Sequence, residues 1–509
     1  MENIFFFQNI EELKRIGEKY SSIYLYGAGL YGKVYKQIME DNFINVAGFL
    51  VTDKTVDTYC GLKVFEAKQK IDELRDDCCI IFSLSKKFHG EIFRDFIFNC
   101  DIYCVEDGYE NIFLCMPFFG LLEKVGKYHN SINKINLDDG GNILVVQIEA
   151  TFGDVIWTTA FIREMRLNYP NSSITFVINE KMSQLMAYCP YIDEIVPYSL
   201  ERNLSYISPN ELYEDCKIFC EKINKFFDAV FLPRLLPTSA LGLWENVLIS
   251  QCVHSKYVFS HAVTHTPELE NTVKYFEPYF SKIVKHYFGE HEVKRDLSLL
   301  LACGGVVKNE NMELWLDSDS EKYATAILNS AKKTIYIAVG LVASATFRSW
   351  PASKYNKLFK KIKELKRNVK LILCGGENAK EAAVMALRGN EDICIDITVK
   401  TNLLQAAAVI KQCDFYLGSD TGLMHMAAAF GKPIIEITPS LPDSPTTLGL
   451  SPTRTGPWCV PNIVYRPPYA LGRCKYVCLE KKAHCIKLIK VEEVFKGVVK
   501  FINTYVGKI

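Results

Sequence analysis

The feature that most constrains the fold is a repeated alternation between short apolar runs and amphipathic stretches. The runs NILVVQI at 142–148 and TIYIAVG at 334–340 are each followed by residues with helical spacing of apolar side chains. Strands that alternate with helices pair in parallel, because each helix returns the chain to the same edge of the sheet. The sequence therefore predicts an α/β protein with parallel sheets.

The alternation occurs in three units, which begin near residues 22, 142 and 334. The signal weakens at 250–325, where only short helices can be placed. Eight of the 19 prolines fall within 439–468, which predicts a loop there rather than a helix or a central strand. The predicted division is a Rossmann-like domain at 1–118, a linker at 119–140, an acceptor domain at 141–325, and a donor domain at 326–509 that ends in a closing helix.

Length and charge narrow the class of protein. A chain of 509 residues has room for about three domains. Its 59 basic and 59 acidic side chains cancel, so no global basic field attracts nucleic acid. The N-terminus has only a short apolar run with acidic residues on both sides, and no later run is long enough to span a membrane. We therefore expect a cytoplasmic protein with mostly free cysteines, which contacts a membrane peripherally at most.

A glycine-rich turn follows the first strand. Gly27, Gly29 and Gly32 have the G-x-G-x-x-G spacing between a strand and a helix, where glycines admit a pyrophosphate to the helix N-terminus. Asp53 follows the next strand, at the position of an acid that binds ribose. Two interpretations stay open for this domain: a second nucleotide site, or a non-catalytic appendage.

An aspartate, Asp154, lies in the loop that follows the strand at 142–148. The carboxyl ends of parallel strands face the crevice in which α/β proteins bind ligands, so this carboxylate could act as a general base. The alternative is that Asp154 only caps the helix that follows, where the helix dipole would weaken it as a base.

Two features of the third unit suit phosphate. The sequence GSDTG at 418–422 ends a strand and opens a helix, whose first amides form an anion site at Thr421 and Gly422. Arg348 follows the strand at 334–340 and could neutralise phosphate charge. Taken alone, Arg348 would be a surface arginine, and His425 a core histidine one turn into its helix.

These motifs, in this order, resemble a known family: the ADP-heptose:lipopolysaccharide heptosyltransferases, glycosyltransferase family 9, which have the GT-B fold. The resemblance covers about 141–500 and is carried by ILVVQIEATFGDVIWTTAFIREM, RSWPASKYNKL and GSDTGLMHMAAAFGKP. It implies a bacterial enzyme that needs no cofactor or metal. That enzyme would transfer a sugar with inversion from a nucleoside diphosphate, with ADP-heptose as the leading donor, to a lipopolysaccharide-type surface glycan or a protein acceptor.

The resemblance also implies roles for individual residues. Asp154 matches the catalytic base, and Arg348 stands where the family usually has a phosphate-binding lysine. Donor contacts are implied at Arg348, Glu377, Asp420, Thr421, Gly422 and His425.

Several departures from the family pattern leave alternatives open. Gln147 replaces a common arginine, and Glu149 a small residue, so heptose is the leading rather than the established sugar. The altered loop also admits a catalytically inactive protein that binds nucleotide sugars or acts as a scaffold. An NAD-dependent dehydrogenase or epimerase built on the first domain ranks last, because it leaves every motif after residue 140 unexplained.

Two sets of residues have the composition of metal sites. Asp317 and Asp319 form a D-x-D motif, but they precede a helix, so capping is the favoured interpretation. The second set lies near the C-terminus and could bind zinc. It consists of Cys474, Cys478, His484 and Cys485. Because this segment resembles the family's usual ending, we expect no metal there, and we also expect none at the D-x-D motif.

Overall fold

The computed structural model contains three β-sheets. It describes residues 4–7, 10–28, 30–70, 73–74, 77–83, 101–105, 121–137, 140–148, 151–199, 209–233, 244–263, 273, 276–286, 289–328, 334–446, 451–472, 474 and 482–506. Apart from one short antiparallel strand, all described strand pairs are parallel, which confirms the predicted α/β class.

The first sheet has seven strands in the order β1-β7-β6-β2-β3-β5-β4. Its strands are β1 (Ile4–Phe7), β2 (Ser22–Tyr26), β3 (Val46–Val51), β4 (Thr58–Tyr59), β5 (Leu62–Glu66), β6 (Cys78–Phe82) and β7 (Asp101–Val105). Its helices are α1 (Ile10–Lys19), α2 (Leu30–Asp41) and α3 (Ala67–Lys70). The glycine-rich turn follows β2, whose neighbours β3 and β6 lie on opposite sides, so the turn is at a change of winding direction.

The second sheet is formed by six parallel strands in the order β10-β9-β8-β11-β12-β13. Its strands are β8 (Asn142–Gln147), β9 (Ser173–Asn179), β10 (Glu194–Tyr198), β11 (Phe226–Leu232), β12 (His254–Val263) and β13 (Lys282–His286). The helices of this unit are α4 (Phe152–Asn168), α5 (Glu180–Ser183), α6 (Pro209–Ile223), α7 (Trp244–Cys252) and α8 (Glu292–Ala302).

The third sheet repeats this topology, with the order β16-β15-β14-β17-β18-β19. Its strands are β14 (Ile335–Gly340), β15 (Val369–Cys374), β16 (Cys394–Asp396), β17 (Phe415–Ser419), β18 (Ile434–Ile437) and β19 (Asn462–Tyr465). The helices are α9 (Ser318–Leu328), α10 (Ala352–Glu364), α11 (Lys380–Leu387), α12 (Leu403–Gln412), α13 (Gly422–Ala429), α14 (Pro452–Thr455) and α15 (Val491–Phe501).

Both six-stranded sheets have the doubly wound order 3-2-1-4-5-6, counted within each sheet. In this topology the winding reverses between strands 1 and 4, and ligands bind in the crevice at the carboxyl ends of those strands. Here those strands are β8 and β11 in one sheet and β14 and β17 in the other. One continuous apolar cluster contains Phe161 of the second unit and Tyr416 of the third, so the two sheets share a core.

The structure corrects two expectations about secondary structure. The region 250–325 contains the strands β12 and β13 as well as helices; the predicted short helices alone were wrong. The proline-rich region contains the helix α14 and the strand β19, although no helix was predicted there. Pro452 opens α14, a position where proline needs no amide hydrogen, and β19 lies at the edge of its sheet.

Candidate active site

The candidate site lies where two helices from different sheets begin side by side. A Cβ atom added to Gly153, at the start of α4, would lie 2.7 Å from Cδ2 of His425 in α13. One added to Gly422, the first residue of α13, would lie 2.7 Å from Cβ of Phe152. Any side chain at either glycine would separate the helices, so glycine is required for this contact. The contact brings the switch points of the two sheets together.

Asp154 is in the first turn of α4 and is half-buried. Its Oδ2 accepts a hydrogen bond of 2.6 Å from the amide of Thr151, the N-cap residue. Its main-chain oxygen accepts hydrogen bonds from Nε2 of Gln147 at 3.2 Å and Oγ1 of Thr158 at 3.1 Å. The carboxylate therefore takes part in helix capping from the third helical position, and it is half-buried in the turn that contacts α13. Glu149 lies outside the described residues.

The turn between β17 and α13 supplies the amide groups of the site. Thr421 has extended dihedral angles and is the N-cap of α13. Amides in the first turn of a helix have no intrahelical acceptor, and the helix dipole adds positive potential there. The turn at Thr421 and Gly422 can therefore bind an anion, as its sequence indicates.

Arg348 is fixed against this turn by an ion pair with Asp420. It ends a short 3₁₀ turn, Thr346–Arg348, that follows β14. Its Nη2 donates to Oδ2 of Asp420 at 2.8 Å and to the main-chain oxygen of the same residue at 3.0 Å. Burial alone raises the pKa of the Asp420 carboxyl, but the hydrogen bond from His425 and the charge of Arg348 outweigh it and hold that pKa below its usual value. Arg348 is thus held in place by a charged partner rather than lying free on the surface.

His425 links the two helices. Its Nδ1 accepts a hydrogen bond of 3.2 Å from Nε1 of Trp157, and its Nε2 lies 3.5 Å from Oδ1 of Asp420. Because an indole nitrogen can only donate, Nδ1 is the acceptor and the ring proton is on Nε2, facing Asp420. His425 is 2% exposed. His425 is therefore buried, as expected of a core histidine, and its ring also contacts Asp420 in the candidate site.

Sequence reasoning missed a second histidine in the cleft, His291, which immediately precedes α8. Its ring stacks on Trp458 with centroids 4.3 Å apart, and Nε2 donates to the main-chain oxygen of Gly456 at 3.0 Å. Nδ1 accepts the amide of Val293 at 3.2 Å. Burial lowers the pKa of His291 to about 4, although the bond to Gly456 acts in the opposite direction. His291 is therefore neutral at pH 7 and connects the second unit to the proline-rich region.

An ion pair also crosses between these regions. Nε of Arg454, in α14, donates to Oε1 of Glu292 at 2.9 Å, and Nη1 of Arg295 reaches the same oxygen at 2.6 Å. Glu292 is 2% exposed, so its charge is compensated by two guanidinium groups inside the protein. No signal in the sequence connects residues 292 and 454, because their proximity comes only from the tertiary fold.

A further buried carboxyl lies next to the donor turn. Glu436 is in β18 and is paired in register with Gly418 of β17. Burial, followed by the negative charge of Asp420, raises the pKa of Glu436 well above its usual value. Burial therefore favours the protonated, uncharged form of this carboxyl.

The remaining predicted residues are placed as follows. Glu377 follows β15, the neighbour of β14, and its exposed carboxylate pairs with Nζ of Lys380 at 3.3 Å. Asp317 caps α9, since its Oδ1 accepts amides of Asp319 at 3.0 Å and Ser320 at 2.7 Å. This agrees with the capping interpretation of the D-x-D motif.

The glycine-rich turn of the first sheet has the predicted strand-turn-helix context. Gly27 has φ of +116°, and its amide donates to the main-chain oxygen of Leu50 at 2.8 Å. A Cβ at Gly32 would lie 2.0 Å from the oxygen of Gly27, so α2 packs tightly on the turn. Asp53 is exposed just beyond β3. Gly29 lies outside the described residues.

In the part of the chain that the structure describes, no helix is both long and apolar enough to cross a bilayer.

Comparison with known proteins shows what the second and third units are similar to. Residues 271–458 match the family model described as glycosyltransferase family 9 (heptosyltransferase). Lipooligosaccharide heptosyltransferase 2 of Haemophilus influenzae is 21% identical over 336 residues, which cover 61% of this chain and 88% of that protein.

Two solved structures share the fold. A glycosyl transferase family 9 structure from Veillonella parvula aligns with a TM-score of 0.58 and 22% identity, over 73% of this chain and 99% of the other. ADP-heptose LPS heptosyltransferase II of E. coli aligns with a TM-score of 0.52 and 17% identity, over 71% and 98% of the two chains. The fold is therefore GT-B, and residues 271–458 resemble the sequences of glycosyltransferase family 9.

Proposed function

We propose that the chain is an inverting transferase that moves heptose from ADP-heptose to a lipopolysaccharide-type acceptor, with no metal in the chemical step. The observation that supports the proposal is the contact between the first turn of α4, which contains Asp154, and the first turn of α13, which follows Asp420. The names of the relatives support the sugar, the nucleotide and the acceptor class.

The reaction is a single in-line displacement. The Asp154 carboxylate takes a proton from an acceptor hydroxyl, and that oxygen attacks the anomeric carbon of the donor. The bond between this carbon and the diphosphate oxygen breaks on the opposite side, so the configuration at carbon inverts. Both electrons of the broken bond stay with the departing diphosphate, and its charge must be stabilised.

We assign the stabilisation of the diphosphate charge to groups that neighbouring residues hold in position. The guanidinium of Arg348 and the first amides of α13 face the place where a diphosphate would end. Asp420 fixes the direction of Arg348, and His425 fixes Asp420. Glu377 remains our candidate for contact with the donor ribose. We therefore assign donor binding to a domain at 326–509 and acceptor binding to a domain at 141–325. These follow the first domain at 1–118 and a linker at 119–140.

A lipid-linked acceptor would lie at the inner face of the membrane. We therefore propose that the reaction takes place in the cytoplasm and that the protein contacts the membrane peripherally at most. A protein acceptor is the alternative outcome of the assay below.

The test is transfer from ADP-heptose to a heptose-free lipopolysaccharide core, with the anomeric configuration of the product determined by NMR. Asp154→Asn keeps an acceptor atom for the Thr151 amide but removes the base, so we expect kcat to fall at least about 100-fold with donor affinity retained. Asp317→Asn, at the cap of α9, is the matched control and should keep full activity. Added Mg²⁺ or Mn²⁺ should not raise the rate.

Two other outcomes would contradict parts of this proposal. Donor binding without turnover on any glycan or protein acceptor would indicate an inactive nucleotide-sugar-binding protein. Full activity of Asp154→Asn would remove Asp154 as the base and leave it only a capping role.

A further inference from the structure

Three soft ligand atoms converge in the segment between β19 and α15. Nδ1 of His484 lies 3.5 Å from Sγ of Cys474 and 3.5 Å from Sγ of Cys485. All three atoms lie within 4.8 Å of one another. In the part of the chain described here, this is the one group of three such side chains close enough to share an ion.

Two of the three spacings, those from nitrogen to sulfur, match the edges of a tetrahedral metal site. Zinc binds thiolate sulfur at about 2.3 Å and imidazole nitrogen at about 2.0–2.1 Å, so ligand atoms around a tetrahedral ion lie roughly 3.5–3.8 Å apart. The two observed nitrogen-to-sulfur distances are at the lower end of that range. Both sulfurs face the same ring nitrogen, which leaves Nε2 of His484 directed away from them.

The surroundings favour thiolates at this point. The amide of Leu471 donates to Sγ of Cys485 at 3.4 Å, and such a bond stabilises negative charge on sulfur. Cys485 is buried, whereas Cys474 is partly exposed. A divalent ion bound by two thiolates and a neutral imidazole forms a site with no net charge, which suits partial burial.

We propose that Cys474, His484 and Cys485 bind one Zn²⁺ through Sγ, Nδ1 and Sγ, with a further donor in the fourth position. Two thiols and one imidazole form a soft to borderline ligand set, which suits zinc rather than magnesium or calcium. Each thiol loses its proton to solvent on binding, and no electron is transferred. The sequence predicts no metal here, whereas the side-chain geometry favours one.

The position of the site indicates a structural role. Cys485 opens a 3₁₀ helix, Cys485–Leu488, that lies against the Thr346–Arg348 turn. The next residue, Ile489, accepts hydrogen bonds through its main-chain oxygen from Nε1 of Trp350 at 3.2 Å and Nζ of Lys354 at 2.8 Å. An ion that joins residue 474 to residues 484 and 485 therefore fixes the segment against which the Arg348 turn packs. The ion binds no carboxylate of the donor turn, so its presence is independent of the proposed transfer chemistry.

The first test is elemental analysis of the full chain, expressed in zinc-supplemented medium and purified without a metal-affinity resin. We expect about one zinc per chain in the parent protein, and a loss of most of it in Cys474→Ser and in Cys485→Ser. Cys459→Ser is the matched control, because Cys459 is an exposed free cysteine in the same third of the chain. It should retain the zinc of the parent.

A second measurement covers the case in which a variant fails to fold. Zinc is removed from the parent protein and Co²⁺ is added; coordination by two thiolates predicts sulfur-to-cobalt charge-transfer bands together with tetrahedral d–d bands. A parent protein that contains no metal and gives no such bands with Co²⁺ overturns the proposal. A Cys474–Cys485 disulfide in the freshly purified protein, detected by mass spectrometry after thiol alkylation, would also overturn it.

Discussion

Arg348 occupies a position where geometry, and not only charge, decides the outcome of a substitution. Its guanidinium reaches two oxygens of Asp420 from a single nitrogen, and its other nitrogens remain for phosphate. A lysine offers one compact ammonium, which cannot hold both oxygens and a phosphate in the same plane. We expect Arg348→Lys to raise KM for the donor about 10-fold, equivalent to one charge-assisted hydrogen bond. Steady-state kinetics, with the exposed Arg388→Lys as control, measure this; an unchanged KM would contradict it.

His291 predicts how stability depends on pH. Its pKa is lowered from 6.5 to about 4 by burial, so the unfolded chain binds the proton more tightly than the folded one. The stabilisation is complete above pH 6.5 and is lost as pH falls toward 4. The shift corresponds to about 3 kcal/mol. Protonation of Nδ1 would also break its bond with the Val293 amide.

The measurement is the free energy of unfolding between pH 4 and pH 7. We expect a decline toward pH 4 that is smaller in His291→Gln, whose amide can still donate to Gly456 but does not titrate. Equal declines in both proteins would show that other groups control the acid sensitivity.

Among the elements, the contact between α4 and α13 is the most sensitive to side-chain volume. Because a Cβ at Gly422 would lie 2.7 Å from Phe152, Gly422→Ala should force the two helix starts apart and destabilise the fold by about 1–3 kcal/mol. Gly376→Ala is the control, since its added Cβ would lie in ordinary contact with Oδ1 of Asn378 at 3.7 Å. Chemical denaturation compares the two. Equal stability of both variants would contradict the close contact.

The sequence predicted two central strands of the third sheet well. The apolar run at 334–340 placed β14 to within one residue, and the strand predicted to end at GSDTG is observed as β17. Strands β12 and β13 were missed because Ser, His and Lys interrupt their apolar runs, as in HSKYVFSHAV. These strands are recognisable only once β11 is in place to pair with β12.

The residues of the candidate site also divide into those that the sequence indicated and those that it did not. Arg348, Asp420 and His425 lie in motifs of the chain, so the sequence pointed to them directly. His291, Trp458 and the Glu292–Arg454 pair are separated by more than 150 residues, and only tertiary contacts bring them together. The sequence suggested capping and catalysis as alternatives for Asp154, whereas the structure shows capping and leaves catalysis as a proposal.

At the scale of the whole molecule, the chain has separate cores. Among the described residues, the clusters of the first sheet contain only residues between 13 and 82, whereas one cluster spans the second and third sheets. We therefore expect the first domain to unfold independently. A valine at Gly32 would place its Cβ against the oxygen of Gly27, so Gly32→Val should remove only the first-domain transition in calorimetry. Loss of transfer activity in this variant would show that the first domain takes part in the reaction.

We propose that the donor binds between the second and third sheets, in contact with Arg348. The most direct test is isothermal titration calorimetry on the parent chain and on Arg348→Ala, with ADP-heptose, with UDP-, GDP- and dTDP-sugars, and with NAD⁺ and NADP⁺. We expect ADP-heptose to bind with the highest affinity and Arg348→Ala to weaken this binding at least about 10-fold. Binding of NAD⁺ or NADP⁺ alone, unchanged in Arg348→Ala, would assign ligand binding to the first domain and contradict donor binding at Arg348.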